Sequence, residues 1–220
     1  MKPFHVIIIL IALTVGAVAS AQTEAWEARV KADPQNEAVL LEAGIACHGL
    51  AVGGNEKAGD LAETYLGRIL EQNPRQTLAM AYYGSLMSVF ARDAAEPWQK
   101  MEYMQTAMAR MDKAVMLDPE NVQVRLIRGG NSVNLPAMFN RLDLAIEDLA
   151  KIESLMAEGK ANLDPEATVT WACYYGMALS KKGQNDKARP YLERVVTMAS
   201  ESPLGRQAQA TLDKMDGSHE

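Results

Sequence analysis

The sequence is poor in several residue types on which whole classes of protein depend. Of its 220 residues only 6% are aromatic, 3 are His and 2 are Cys. Few aromatic residues disfavour a β-sandwich or barrel, whose strands are rich in aromatic and β-branched side chains. Basic residues are outnumbered, with 22 Lys and Arg against 28 Asp and Glu, which disfavours a binder of nucleic-acid phosphates. What is present is a 48% hydrophobic chain with 13 Met, long enough for one medium domain.

Groups for catalysis or metal binding are also scarce. His5 lies in the N-terminal apolar segment and His219 at the C-terminus, which leaves His48 as the histidine of the folded part. The folded part therefore has too few histidines to make a zinc site or a Ser-His-Asp arrangement a good prediction. Cys47 stands beside His48, but neighbours on a helix point about 100° apart and do not face each other. We expect no enzymatic activity, no cofactor and no metal site.

One long apolar run is present, at the N-terminus. Lys2 precedes an apolar stretch from Val6 to Val18, and the small residues Ala19-Ser20-Ala21 follow. This order is typical of a secretory signal peptide. We predict a signal peptide over residues 1–21, cleaved after Ala21, and a periplasmic or secreted mature protein. Retention as a membrane anchor is the alternative, disfavoured because the run is shorter than the ~20 residues that span a bilayer.

The rest of the chain carries a repeat whose first element begins at an Asx-Pro pair. The prolines of the four pairs are 40, 45 and 46 residues apart, and a Gly follows each after ten or eleven residues. Asp or Asn caps the free amides of a helix and Pro tolerates its first position, so each pair predicts a helix start. A recurring Gly inside a helix predicts close approach of another helix. The pairs are Asp33-Pro34, Asn73-Pro74, Asp118-Pro119 and Asp164-Pro165, and the glycines are Gly44, Gly84, Gly129 and Gly176.

A second element follows in each repeat. A small residue and two apolar ones recur at i, i+4 and i+7, which places them on one helical face. These are Ala62-Leu66-Ile69, Ala107-Met111-Ala114, Ala145-Leu149-Ile152 and Ala188-Leu192-Val195. Each repeat is therefore predicted to be two antiparallel helices, with the Gly of the first facing the Ala of the second. Stacked pairs would share one continuous core.

The last repeat resembles the tetratricopeptide repeat (TPR) family. Its Tyr175-Gly176, Lys182-Gly183-Gln184, Ala188 and Tyr191-Leu192 follow the family pattern, with Gly and Ala 12 residues apart. In the other repeats this interval is 18, 23 and 16, which we interpret as insertions in the hairpin loops around 52–59, 93–98 and 134–137. The resemblance implies an all-α fold over residues 22–216, a right-handed α-solenoid of about four TPR-like hairpins.

The two ends of this domain are predicted separately. A short leading helix should cover Thr23 to Lys31, with Trp26 packed on the first repeat. The second helix of the third repeat should run on to about Ala157. A capping helix should begin at Ser202-Pro203 and reach about Met215, and residues 217–220 should be a disordered tail.

Sulfur-containing residues suggest two kinds of site, both weighed against simple packing. Cys47 and Cys173 fall in the first helices of the first and fourth repeats, too far apart along a solenoid for a disulfide. We predict two buried free thiols, with an intermolecular disulfide as the alternative. A methionine stripe could hold Cu(I) outside the cytoplasm, but Met111 is also a repeat core position, so we favour packing. The stripe is Met101, Met104, Met108 and Met111.

A stripe along the first helices is the predicted binding surface. In TPR proteins the residues three before, one after and four after each Gly line a groove that contacts an extended peptide or a partner helix. Here this stripe is small and apolar with hydroxyl groups, which suits a hydrophobic segment or an acyl chain better than an acidic tail. The alternative is that the stripe is buried by the protein itself. It consists of Leu41, Ile45, His48, Ala81, Ser85, Ser88, Leu126, Gly130, Val133, Cys173, Met177 and Ser180.

Arg128 departs from the repeat pattern, because Tyr83 and Tyr175 fill the same position in their repeats. A half-buried guanidinium needs a partner. Asp148 or Glu147 could supply an internal ion pair, which we favour. With Arg125 one turn away, the two arginines could instead grip a carboxylate or phosphate of a ligand.

The sequence thus predicts a protein-binding or peptide-binding adaptor or scaffold of the cell envelope. Its partner would be an envelope protein or peptide, and not a nucleic acid. A membrane would be contacted only through an uncleaved signal peptide. The alternative is a carrier or solute-transport accessory with a lipid or small apolar ligand in the groove.

Overall fold

The computed structural model describes residues 21–217, and all regular secondary structure in that range is helical. The predicted signal peptide and residues 218–220 lie outside the described residues, apart from Ala21, which is helical. Helix α1 covers residues 21–32. It is followed by α2 (Glu37–Val52), α3 (Glu56–Gln72), α4 (Thr77–Asp93), α5 (Pro97–Leu117), α6 (Val122–Asn134), a 3-10 turn (Ala137–Phe139), α7 (Leu142–Ala157), α8 (Pro165–Lys181), α9 (Asn185–Ala199) and α10 (Pro203–Gly217).

The helices form two compact units that divide after Ala114, within α5. In the N-terminal unit, α2 packs against α3 and α4, and α3 also packs against α4. In the C-terminal unit, α6 packs against α7 and α8, α8 against α7 and α9, and α10 against both α8 and α9. Within each unit, antiparallel hairpins therefore pack on one another in chain order, as the repeat predicted.

The predicted face of each second helix is the centre of this packing. Every Ala, Leu, Met, Ile or Val of the i, i+4, i+7 pattern is at most 1% exposed. The glycines of the first helices let these side chains approach: a Cβ added to Gly176 would lie 2.7 Å from Leu192 Cγ, and one added to Gly44 would lie 2.8 Å from Leu66 Cγ. The close approach is confirmed, although the nearest atoms at these two glycines belong to the Leu one turn beyond the predicted Ala.

The Asx-Pro pairs start a helix directly only once. Asp164 caps α8 by accepting from the Ala167 amide, and Pro165 is the first helical residue. At the other three pairs the prediction is wrong, because Pro occupies a turn and the helix begins three residues after it. The turn closes when the amide of the third residue after the Asx donates to the Asx carbonyl, as between Asn36 and Asp33 at 3.4 Å. The side chains that cap these helices are Asn36, Gln76 and Asn121.

The additional residues of the first two hairpins do not form long loops, which corrects the sequence interpretation. Three residues join α2 to α3 and three join α4 to α5, as many as join α8 to α9. The extra residues instead lengthen the helical segments between the Gly–Ala crossing and the loop, and α5 reaches 21 residues. Among the connections within hairpins of the described residues, the one between α6 and α7 is long, with a 3-10 turn and Asn140 in the left-handed region at φ 52°.

The end elements match the predicted boundaries closely. Helix α1 buries Thr23 and Val30, while Trp26 is only half-buried and is covered by the Arg29 guanidinium, 4.3 Å from its ring centre. Helix α7 ends at Ala157 as predicted. Helix α10 continues to Gly217, so the predicted tail does not begin at that residue.

Candidate functional site

In the N-terminal unit, the predicted stripe joins α2 to α4 through a polar contact. His48 Nε2 lies 2.9 Å from Ser85 Oγ, and the His48 ring meets the Tyr82 ring edge-on with centroids 5.3 Å apart. Burial lowers the pKa of His48 to about 4, so the imidazole is neutral at neutral pH. Leu41 and Ile45 are half-buried on the same face of α2. This part of the stripe is apolar, uncharged and partly open.

Ser88 adds an unused hydroxyl to this surface. It lies one turn after Ser85 on α4, so both side chains project from the same face. Its Oγ is shielded from solvent and has no hydrogen-bond partner among residues 21–217. Ala81, by contrast, is fully buried. A buried hydroxyl without a partner is costly, so Ser88 is a candidate donor or acceptor for a bound group.

In the C-terminal unit, most of the stripe is taken up by packing between helices. A Cβ added to Gly130 would lie 2.7 Å from the Tyr174 ring. Val133, Cys173 and Met177 are at most 6% exposed. The alternative interpretation, burial by the protein itself, fits these positions. Leu126 and Ser180 are half-buried and remain candidates for contact with a partner.

The two arginines of α6 are held by one carboxylate of α7. Arg128 Nε and Nη2 donate to Asp148 Oδ2 and Oδ1 at 2.7 and 2.8 Å, and Arg125 Nη1 donates to Oδ1 at 2.6 Å. All three side chains are buried. Burial raises the pKa of Asp148 and the hydrogen bonds from the two guanidinium groups oppose this. The favoured internal ion pair is present, with Asp148 and not the exposed Glu147 as the partner.

Most of the sulfur-containing side chains considered above are buried and pack against other helices. Cys47 and Cys173 are free and buried, as predicted, and burial raises the pKa of each thiol to about 11. Met111 is 1% exposed and packs against Gly84, whose added Cβ would lie 2.9 Å from Met111 Cγ. Met101 is 38% exposed, so packing does not explain the outer end of the methionine stripe.

A cavity in the N-terminal unit was not predicted from the sequence. It has a volume of about 370 Å³ and lies beside α3 and the ends of α2, α4 and α5 that meet there. Its charged lining residues are all acidic: Glu56, Asp60, Glu63 and Asp93. Phe90 and Tyr103 also line it, with ring centroids 5.7 Å apart. The spacing of Glu56, Asp60 and Glu63 places three carboxylates on one face of α3, and this was the one sequence feature that could have predicted the cavity. Without the position of α5, however, such a face is interpreted as solvent-exposed.

A second cavity, in the C-terminal unit, has a volume of about 630 Å³ and lies along the α6–α7 connection. Arg141, Lys181 and Lys182 line it. Lys181 Nζ donates to the Val133 carbonyl at 2.6 Å, and Lys182 pairs with Asp143. Two of its cationic groups are therefore engaged within the chain.

No helix within residues 21–217 is both long and apolar enough to cross a membrane. The same residues contain no group of three or more His, Cys, Asp and Glu side chains arranged to hold a metal ion.

The chain is similar to known proteins in its structure, but not in its sequence. No family model matches the chain, and no curated protein does. Among solved structures, the chain is similar to TTC0263, a thermophilic TPR protein of Thermus thermophilus, with a TM-score of 0.65 and 16% identity. The match covers 92% of this chain and 94% of that one. MamA is also similar, at 17% identity over 89% of each chain, with a TM-score of 0.48.

These findings define the class of protein. The helical hairpins packed in chain order and the likeness to TTC0263 confirm the predicted fold class. The chain is an all-α protein with a TPR-like fold, an α-solenoid of helix hairpins.

Proposed function

We propose that this chain is a non-enzymatic scaffold of the cell envelope that binds a protein or peptide partner through the stripe on its first helices. The observation that carries the proposal is the surface around His48. Half-buried Leu41 and Ile45 stand there beside the His48–Ser85 contact and the unused Ser88 hydroxyl. Such a surface offers apolar contact area and hydrogen-bonding groups, which supports binding of a partner.

The chemistry of this surface favours an apolar, extended segment as the partner. Leu41 and Ile45 offer apolar area whose burial stabilises a complex by roughly 25 cal/mol per Å² before the costs of association. Rotation of the Ser88 side chain would let its Oγ, which is shielded from solvent in the structure, exchange a hydrogen bond with the backbone of an extended peptide, which presents both donors and acceptors. The neutral His48 adds no charge that would attract an acidic tail.

The location in the cell envelope rests on the N-terminal sequence. Lys2, the apolar run and Ala19-Ser20-Ala21 support export and cleavage after Ala21. Fractionation of the native host should place a C-terminally tagged protein in the envelope or the medium, with Gln22 as its first residue. A cytoplasmic protein that begins at Met1 would contradict this part of the proposal.

Site-specific photocrosslinking in intact host cells tests the binding surface. A benzophenone amino acid at Ile45 or Leu126, both half-buried on the stripe, should give discrete adducts of protein size. The controls are the exposed positions Lys113 and Glu147, which lie off the stripe and should give none. Equal adducts at the control positions, or none at Ile45, would contradict the proposal. An adduct of lipid mass at Ile45 would instead support the carrier alternative.

A further inference from the structure

The acidic cavity of the N-terminal unit has the dimensions of a ligand site. Its volume of about 370 Å³ falls within the range of about 300–1,000 Å³ that is typical of small-molecule pockets. Ala51 and Val89 contribute apolar surface and are themselves buried. None of the residues of the stripe lines this cavity, so it can be tested separately from the proposed binding surface.

One side of the cavity carries negative charge that the chain does not neutralise. Glu56, Asp60 and Glu63 lie at i, i+4 and i+7 on one face of α3. Like charges at this spacing destabilise a helix by a few tenths of a kcal/mol per pair, about 0.2–0.5. Among residues 21–217, none of the three carboxylates is in an ion pair, and no Lys or Arg lines the cavity.

Two of the basic residues that adjoin lining residues in the sequence, Lys57 and Arg92, are engaged within the chain. Lys57 Nζ pairs with Glu27 at 2.9 Å. Arg92 holds the fourth carboxylate, Asp93, in a two-point contact at 2.6 and 2.8 Å. Its Nη1 also donates to the Val52 carbonyl at 2.9 Å. Arg92 therefore ties the end of α4 to the end of α2, and leaves the carboxylates of α3 without a cation.

The aromatic side of the cavity supplies an independent reason to expect a cation. Phe90 and Tyr103 both line the cavity and pack edge to face with centroids 5.7 Å apart, so they form one aromatic wall. A cation within about 6 Å of such a ring is attracted to its face. Gly59 keeps this wall close to α3, since an added Cβ would lie 3.1 Å from Phe90 Cε1.

We propose that this cavity binds an alkylammonium or alkylguanidinium group, carried by a free polyamine or by a Lys or Arg side chain of a polypeptide. The carboxylates of α3 bind the charged head, and the rings and the buried apolar residues contact the methylene stem. A site that combines acidic and aromatic walls selects an organic cation over an inorganic one, because the stem has apolar surface to bury.

Calorimetric titration of the full mature chain in 0.15 M NaCl tests this inference. Two probes separate the two sources of the cation: spermidine, and the capped peptide acetyl-Gly-Lys-Gly-amide. At least one should bind at a single site, and its version acetylated on the amine should not. Absence of binding by both probes at millimolar concentration would overturn the proposal.

Matched variants show whether binding occurs in the cavity. The double change Asp60→Asn and Glu63→Gln should weaken binding at least threefold, because two partly exposed charge contacts are lost. The control Glu71→Gln and Glu147→Gln removes the same net charge at exposed positions outside the cavity and should change affinity less than twofold. Equal losses in both doubles would overturn the proposal in favour of diffuse attraction to an acidic protein.

Two single variants keep the test valid if the double variant does not fold. Tyr103→Leu keeps an apolar wall and removes the ring, and should weaken binding about threefold to tenfold. If circular dichroism shows that the double variant is unfolded, Asp60→Asn alone replaces it, since Asp60 is exposed. Unchanged affinity in both Tyr103→Leu and Asp60→Asn would place the cation elsewhere and overturn the proposal.

Discussion

Removal of the Asp148 carboxylate should destabilise the C-terminal unit more than any surface change. Asp148 accepts hydrogen bonds at 2.6, 2.7 and 2.8 Å from two buried guanidinium groups. Asp148→Asn keeps the shape but turns an amide donor toward donors and leaves two buried positive charges without their counter-ion. Loss of one partner from such a buried group costs about 3–5 kcal/mol. For a chain of this size, that corresponds to a fall in melting temperature of roughly 10 °C.

Urea unfolding followed by tryptophan fluorescence measures this effect. Trp171 reports on the region directly, because its indole donates to the Leu149 carbonyl, next to Asp148. Replacement of Trp26 and Trp98 by Phe removes the signal of the N-terminal unit. The control Glu147→Gln changes an exposed neighbour and should stay within about 0.5 kcal/mol of the parent protein.

A compensated variant separates lost charge pairing from lost packing. With Arg125→Met, Arg128→Met and Asp148→Leu together, no buried charge remains, and apolar replacement of such groups is often neutral or stabilising. The triple variant should regain at least half of the stability lost in Asp148→Asn. A cost below about 1 kcal/mol for Asp148→Asn would refute the reasoning, since it would mean that the two guanidinium groups do not depend on this carboxylate.

Further predictions concern glycine, pH and thiol reactivity. Gly176→Ala should destabilise by about 1–3 kcal/mol, because its Cβ would lie 2.7 Å from a buried Leu side chain. Gly67→Ala, with its nearest neighbour at 4.0 Å, should stabilise by about 0.5–1 kcal/mol in the same urea assay; equal effects would contradict the packing described. Burial lowers the pKa of His48 from 6.5 to about 4, so its contribution to stability is complete above pH 6.5 and is lost as the pH falls toward 4. Comparison with His48→Gln should reveal a difference of about 3 kcal/mol across that interval, and parallel pH profiles would refute it. Burial raises the pKa of Cys47 and Cys173 to about 11, so iodoacetamide at pH 8 should label them only in urea, and rapid labelling of the folded protein would contradict their placement.

The sequence predicted the repeated packing well because the pattern encodes it directly. The i, i+4, i+7 positions around Leu66 and Leu192 identify a buried face without knowledge of the partner helix. Asp148 could be named because a buried arginine needs a carboxylate within reach on the facing helix. Each of these predictions depends on spacing within one hairpin.

Predictions that depended on turn chemistry or on neighbouring hairpins succeeded less often. At Asp33-Pro34 the proline fits the second position of a turn as well as the first position of a helix, and the capping Asn36 decides between them. Whether an inserted stretch becomes loop or helix depends on contacts that a repeat interval does not record. The acidic cavity escaped notice for the same reason, because Tyr103 reaches it from a different hairpin than Asp60.

The lengthened helical segments beyond the crossings of the first two hairpins have a consequence for how this protein could change. All residues that line the acidic cavity lie between the glycines and alanines at the two hairpin crossings or within one turn of Ala62, so the cavity is formed in the added turns. The residues that line the cavity are therefore separate from the Gly–Ala crossings that hold each hairpin together. Shortening these segments to the lengths they have in α8 and α9 would remove the residues that line the pocket and leave the crossings in place. Insertion of such turns into another repeat protein would carry the pocket with them.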